Sequence, residues 1–387
     1  MTSLTSRQRL LNTLDSKPVD RIPISLYEFD GAYDSWIYQY PEYQAILDYA
    51  RAPLETSPFL TGNRKTDKLY FWGPKSDIPN IYYGELEKEN ILTTSWKEKN
   101  STFIKRNLKT PKGELITQSR QDDGIHTGWK IEYFCKTAED AEKILSLPYI
   151  PWKPSVASFF ELDKKLGETG IILGDIPDPL CLTVDLFGFS EFLMVYIDNP
   201  ELIFRLLVSF HERIYQYLKH LLENGATTLY RICGPEYATP PYLSPADFDK
   251  LVTPYVTELI KLIHHYDAKA RLHSHGKIQK ALPSLARMEP DAIDPLEPPP
   301  DGDAELSEIR EVLGNKVVLI GNIEERLFEV GSKEDIETAV QKAIDEGAKD
   351  GPFILCPTAM PLTTPLDPKI CENIIYYIDC GIKYGKV

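Results

Sequence analysis

Short apolar runs that end in a polar residue, Gly or Pro recur through the second half of the chain: Ile171–Asp175, Thr228–Cys233, Ala270–His275, Ala292–Leu296, Val317–Gly321 and Phe353–Cys356. Continuous rather than alternating hydrophobicity marks strands buried on both faces. The stretches between these runs carry apolar residues at helical spacing, and strand alternating with helix predicts a parallel sheet with crossover helices. Arg21–Leu26 reads as the first strand. These make seven strands, and an eighth has no clear place in the pattern. No glycine-rich turn follows the first strand, which argues against a doubly wound nucleotide-binding sheet. The expected fold is therefore α/β, a (β/α)8 TIM barrel.

Helix punctuation agrees with that division. Ser244-Pro245-Ala246-Asp247 sets a capping hydroxyl before a proline at the first helical position, followed by Phe248, Leu251, Val252, Val256 and Leu259 on one face. Asp367-Pro368 opens the last helix in the same way. Residues from about Ser57 to Trp152 differ, because Gly, Pro and charges interrupt alternating segments such as Ser101–Lys109 and Glu114–Ser119. Alternation predicts antiparallel ribbon, an insertion in the N-terminal third that is either decoration or a lid over the barrel mouth. The expectation is one barrel domain over residues 1–387 with an insertion at about 57–152.

Composition narrows the functional classes. Hydrophobic content of 42% and charged content of 26% are globular values. No apolar stretch approaches the roughly 20 residues needed to cross a bilayer, and the first residues lack the form of a secretory signal. Six cysteines without a CxxC pair suit reduced thiols and a cytoplasmic location. A formal net charge of −15 disfavours nucleic acid as a partner.

The candidate chemistry lies at strand ends. His273 and His275 sit two apart in a strand, so their imidazoles project from one face, and Cys356 ends a later strand. Two His and one Cys make a ligand set for zinc with one position open, the arrangement of a catalytic rather than a structural metal. The alternative is plain packing, since an unpaired Cys is among the residues most often buried in a core.

Arg9-Leu10-Leu11-Asn12-Thr13-Leu14, Lys17-Pro18-Val19-Asp20-Arg21-Ile22-Pro23, Leu243-Ser244-Pro245, His273-Ser274-His275-Gly276 and Gly321-Asn322-Ile323 together resemble the uroporphyrinogen decarboxylase superfamily. The resemblance runs over nearly the whole chain. It implies a (β/α)8 barrel with its site at the C-terminal strand ends, in a superfamily of decarboxylases and zinc-dependent corrinoid methyltransferases. The decarboxylase branch carries arginines after the first strand, where this chain reads Tyr27-Glu28-Phe29-Asp30-Gly31-Ala32-Tyr33-Asp34-Ser35-Trp36. Acids and aromatics there would repel a polycarboxylate. In the methyltransferase branch a His-x-Cys pair and a distant Cys hold zinc, which corresponds here to His273, His275 and Cys356, with a His in place of the first Cys. That substitution leaves the metal at a formal charge of about +1, a better Lewis acid toward oxygen.

The resemblance thus implies an O-demethylating methyltransferase that moves a methyl group from a methoxylated aromatic compound to cobalt(I) of a corrinoid. No Asp-x-His-x-x-Gly corrinoid signature is present, Asp123-Gly124-Ile125-His126 having the wrong spacing, so the corrinoid is expected on a separate binding protein. Glu236 is a candidate fourth metal ligand or partner of a bound phenol, while Asp175, Glu297 and Asn322 are candidates to orient a ligated histidine. Tyr27, Glu28, Trp36 and Tyr237 are candidate substrate contacts. A methylcorrinoid:thiol methyltransferase of the coenzyme M type, a decarboxylase and a non-catalytic binding barrel are the competing readings, and the resemblance allows a homodimer.

Overall fold

The structure, a computed structural model, describes residues 3–27, 29, 35–54 and 62–387. Strand β1 (Lys68–Trp72) starts the main sheet, and the chain then leaves it for a short hairpin, β2 (Asn80–Ile81) and β3 (Gly84–Glu85). An antiparallel meander follows: β4 (Ile91–Glu98), β5 (Ser101–Thr110), β6 (Gly113–Asp122) and β7 (Trp129–Glu132). The chain returns with β8 (Gly170–Pro177), β9 (Leu229–Cys233), β10 (Lys269–Ser274), β11 (Ala292–Pro295), β12 (Val318–Ile323) and β13 (Phe353–Pro357). The main sheet has the order β1-β8-β9-β10-β11-β12-β13, and all its pairs are parallel.

The segment at residues 23–25 fills the remaining place. Leu355 donates to Pro23 O at 2.9 Å and accepts from Ser25 N at 2.8 Å, while on the other side Asp67 N donates to Ile24 O at 2.6 Å. Asp67 also accepts from Ile24 N at 3.0 Å, so a carboxylate completes the ladder where the strand is too short to do so. The fold is a (β/α)8 TIM barrel. The strand that the hydrophobic pattern did not locate is β1, which falls inside the stretch expected to be inserted from about residue 57. The insertion therefore begins after Trp72. Its short run, Leu-Tyr-Phe-Trp, lies among charged and turn residues that hid it.

Alternation along each strand sorts the barrel interior into layers. Leu69, Ile171, Leu173, Leu229, Ala292, Val318, Ile320 and Ile354 form an apolar cluster that Leu10 and Leu14 of helix Ser6–Leu14 join. Two residues further along β9 and β10 the same face carries Arg231 and Arg271, which are register partners. The interior is thus apolar toward one end and charged toward the ends where the strands finish. Helices pack on the outside, and the stretch after Ser244 differs from the single helix expected there. It breaks at Val252 into Pro245–Leu251 and Thr253–His265, the second with Pro254 in its first turn. Among the described residues no single helix is long and apolar enough to cross a membrane.

The meander does not hang free. Its β6–β7 turn reaches the loop after β13, where His126 N donates to Leu362 O and Thr364 N donates to Gly124 O, both at 2.7 Å. Gly124 has φ +78°, and a Cβ there would stand 2.7 Å from Thr364 O, so contact this close needs glycine.

Candidate active site at the barrel mouth

His273 is the last residue but one of β10, and its Nδ1 donates to Asp294 Oδ2 of β11 at 2.7 Å. Asp294 is fully buried and also accepts two bonds from the Arg271 guanidinium. Burial alone would raise the Asp294 pKa, but Arg271 and then His273 outweigh it and hold the carboxyl far below the usual range. One residue beyond the strand, His275 Nδ1 donates to Glu297 Oε1 at 2.6 Å, and the second oxygen of Glu297 accepts from Gly276 N. Burial opposes the charge of His275, yet the bond and charge of Glu297 raise its pKa on balance. Burial pushes the other way on Glu297, and His275 overrides it, so this carboxyl titrates below its ordinary value. Leu296, buried with φ +60°, turns the chain between the two carboxylates so that both face β10.

On both imidazoles Nδ1 is fixed on a carboxylate, which leaves Nε2 as the ring nitrogen for a ligand. The rings are perpendicular with centroids 4.6 Å apart. This is the backing that metal-bound histidines require. Cys356 does not join them. It sits on β13, beyond β11 and β12, packed with the apolar interior cluster, and burial raises its thiol pKa to about 12 despite the opposing charge of Arg271. Its nearest polar neighbours are the side chain of Ser25 and the backbone of Tyr27. Among the described residues no three His, Cys, Asp or Glu side chains stand close enough to hold a metal ion. The donor types suit zinc and the two histidines fit it, but the trio is not gathered in this conformation.

A cavity of about 490 Å³ opens beside His275. Glu236, His275, Lys277 and Asp301 line one part, and Phe189, Tyr237 and Tyr242 another. Phe189 meets Tyr242 edge-on at 4.7 Å between centroids and lies 5.9 Å from Tyr237. Glu236 is held by a 3.1 Å bond from Gly234 N. Glu324, just after the neighbouring strand β12, has its pKa pushed up to about 7 by burial and then by Glu297 and Asp301.

The other sequence-predicted residues lie elsewhere. Asp175 was expected to orient a histidine; instead it pairs with Arg231 at 2.7 Å, because the two are register partners on β8 and β9. Asn322 is beside Cys356 in the β12–β13 register, so it too leaves histidine orientation to Asp294 and Glu297. Tyr27, with φ +53°, accepts from Arg231 Nη1 at 3.3 Å and holds its ring 6.2 Å from that of His273. Trp36 stacks on His126 of the meander at 3.6 Å and 4° between planes, so that face of the indole is covered. Glu28 lies outside the described residues. The residues not foreseen are Asp294, Arg231, Arg271, Phe189 and Glu324. The first three had a signal, a charge inside an otherwise apolar strand, which survives burial only when paired.

A parallel eight-stranded barrel with polar groups at the C-terminal strand ends places the chain in the class of barrels that carry their chemistry at that face. The sequence model of the uroporphyrinogen decarboxylase (URO-D) family matches residues 130–368, more than half of the chain, and the chain belongs to this family. It is 22% identical over 258 residues to uroporphyrinogen decarboxylase 2, chloroplastic, of Oryza sativa subsp. japonica, spanning 64% of this chain and 63% of that protein. Uroporphyrinogen decarboxylase of Hordeum vulgare is 24% identical over 260 residues, 64% of this chain and 74% of that one. A methyltransferase from Methanosarcina mazei superposes over 99% of both chains with a TM-score of 0.60 at 15% identity, a likeness of fold.

Proposed function

We propose that the chain is a methyltransferase that takes a methyl group from a methoxylated aromatic compound and delivers it to cobalt(I) of a corrinoid carried on a separate protein. The observation that carries this reading is the cavity, which Phe189, Tyr237 and Tyr242 line together with Glu236 and His275 and whose volume of about 490 Å³ suits a single substituted ring. The ring packs on the aromatic side and its ether oxygen turns to the polar side. Arg231 and Arg271, the cations inside the barrel, each hold a carboxylate already. A substrate bearing many carboxylates would find both arginines engaged and, in the cavity lining, Lys277 set against Glu236 and Asp301, a charge balance that weighs against decarboxylation of a polyanionic tetrapyrrole.

On this reading His273 and His275 would hold zinc through Nε2, and the bound metal would supply Lewis acidity toward the ether oxygen. Cys356 adds a thiolate only if the end of β13 approaches β10. The chain's own residues do the rest. Asp294 and Glu297 fix the imidazoles, Glu236 hydrogen-bonds the polar edge of the substrate, and Glu324, which keeps its proton in part of the population at neutral pH, supplies a proton to the departing phenoxide.

The test is metal content of wild-type, His275→Ala and Cys356→Ala proteins, paired with cobalt(I) methylation by a panel of methoxybenzenes followed in the visible spectrum. Bound zinc lost in His275→Ala along with methylation is the expected result. The geometry predicts that Cys356→Ala keeps its metal; a metal-free Cys356→Ala protein would mean that β13 joins the site. Methyl transfer only from methylcorrinoid to a thiol would replace the ether reading, and conversion of uroporphyrinogen would overturn both.

A further inference from the structure

The end of β9 and the first turn of helix Pro179–Phe187 press two cysteines together. Asp178 N donates to Cys233 O at 2.7 Å, tying the helix start to the strand end. Gly234, with φ +123°, packs so tightly on that turn that a Cβ would stand 2.6 Å from Cys181 Cβ and 2.3 Å from Asp178 Oδ1. With no side chain at position 234 between them, Cys181 and Cys233 lie side by side where the helix start meets the strand end, and Cys233 Sγ donates to Ile176 O at 3.6 Å. Both are partly exposed and neither is in a disulfide, whereas Cys135, Cys356 and Cys380 are buried. Cys371, the remaining cysteine, is engaged with Glu42 O at 3.8 Å. Nothing in the sequence marks the pair, since 181 and 233 lie on different elements; the Gly234 approach creates it.

We propose that Cys181 and Cys233 form a redox-active dithiol that exchanges with a small-molecule disulfide such as oxidised glutathione. The thiolate of one cysteine attacks a sulfur of the external disulfide, which breaks, releasing one glutathione and leaving a mixed disulfide on the protein. The second cysteine attacks that protein sulfur and displaces the second glutathione. Two protein thiols are oxidised, one external disulfide is reduced, and the two protons leave on the glutathione thiols. The new bond joins the helix that leads to Phe189 with the turn that leads to Glu236 and Tyr237, so oxidation fixes the spacing of the aromatic wall.

The experiment is anaerobic incubation of the native full chain with oxidised glutathione, alkylation of the remaining thiols and peptide mapping. The expected result is loss of two of the six thiols, a cross-link between the peptides carrying 181 and 233, and full reversal by dithiothreitol. Cys181→Ser is expected to trap glutathione on Cys233, because the resolving thiol is gone. The wild-type map decides the matter even if that variant does not fold. Six intact thiols, stable glutathione adducts on wild-type without a cross-link, or a cross-link through another cysteine would each overturn the proposal.

Discussion

The two sides of the barrel mouth are built on opposite plans. On the β10–β11 side each histidine that faces inward has a carboxylate behind it, and Arg271 shares the deeper one. On the side of β13 and the N-terminal segment, Cys356 lies in apolar packing, residues 23–25 close the sheet, and Trp36 is covered by His126. The first side holds its polar groups at fixed angles through paired hydrogen bonds. The second side is finished within itself. A site residue is therefore better recognised by what orients it than by its own type: His273 and His275 have orienting partners aimed at them, and Cys356 has neighbours that suppress its ionisation.

The largest test of this contrast is Asp294→Asn. Removing the buried charge leaves Arg271 unpaired, and denaturant unfolding is expected to show a loss of about 3–5 kcal/mol. A loss below about 1 kcal/mol, the worth of an exposed pair, would mean that this side is no more organised than the surface. Glu297→Gln comes next: metal affinity and transfer rate are expected to fall about 10- to 100-fold through misorientation of His275. Asp175→Asn, at a carboxylate that pairs with Arg231, should spare the metal.

Glu324 gives a smaller effect with a defined sign. Its pKa is about 7 in the fold against an ordinary 4.5, so between those values the folded state keeps a proton that the unfolded chain releases. Stability must then fall as pH rises across that interval. Unfolding midpoints on either side of it should separate further for wild-type than for Glu324→Gln; equal separations would remove the carboxyl as a proton store. Least is expected of His126→Ala, which gives up a stacked pair of about 0.5–1.5 kcal/mol. Limited proteolysis should then cut the meander near its β6–β7 turn faster, with transfer chemistry on bound substrate unchanged.

The barrel was legible because buried parallel strands must be apolar throughout, and six of the runs coincide with β8 to β13 within a few residues. β1 was not, since its run of five lies among Gly, Pro and charges that read as insertion. The histidine pair stood out through spacing. Of its partners, Glu297 was named for this role from its place at a strand end, whereas Asp294 was not, because a single charge inside the short apolar run of β11 does not announce which residue it faces. The separation of Cys356 from the pair could not be seen either: strand ends were visible, but the number of strands between them and the depth of each side chain were not.

The stitch between the meander and the loop after β13 has a bearing on how the molecule is made. His126 bonds to Thr364 across 238 residues of sequence. During synthesis the meander can pair its own strands early, its contacts being local, and Lys130 can dock on Asp185 soon after, but the partners of its β6–β7 turn do not exist until the last barrel strand has emerged. The rim of the mouth is thus assembled last. Until that moment a nascent chain shows the exposed underside of its ribbon to whatever chaperones attend it.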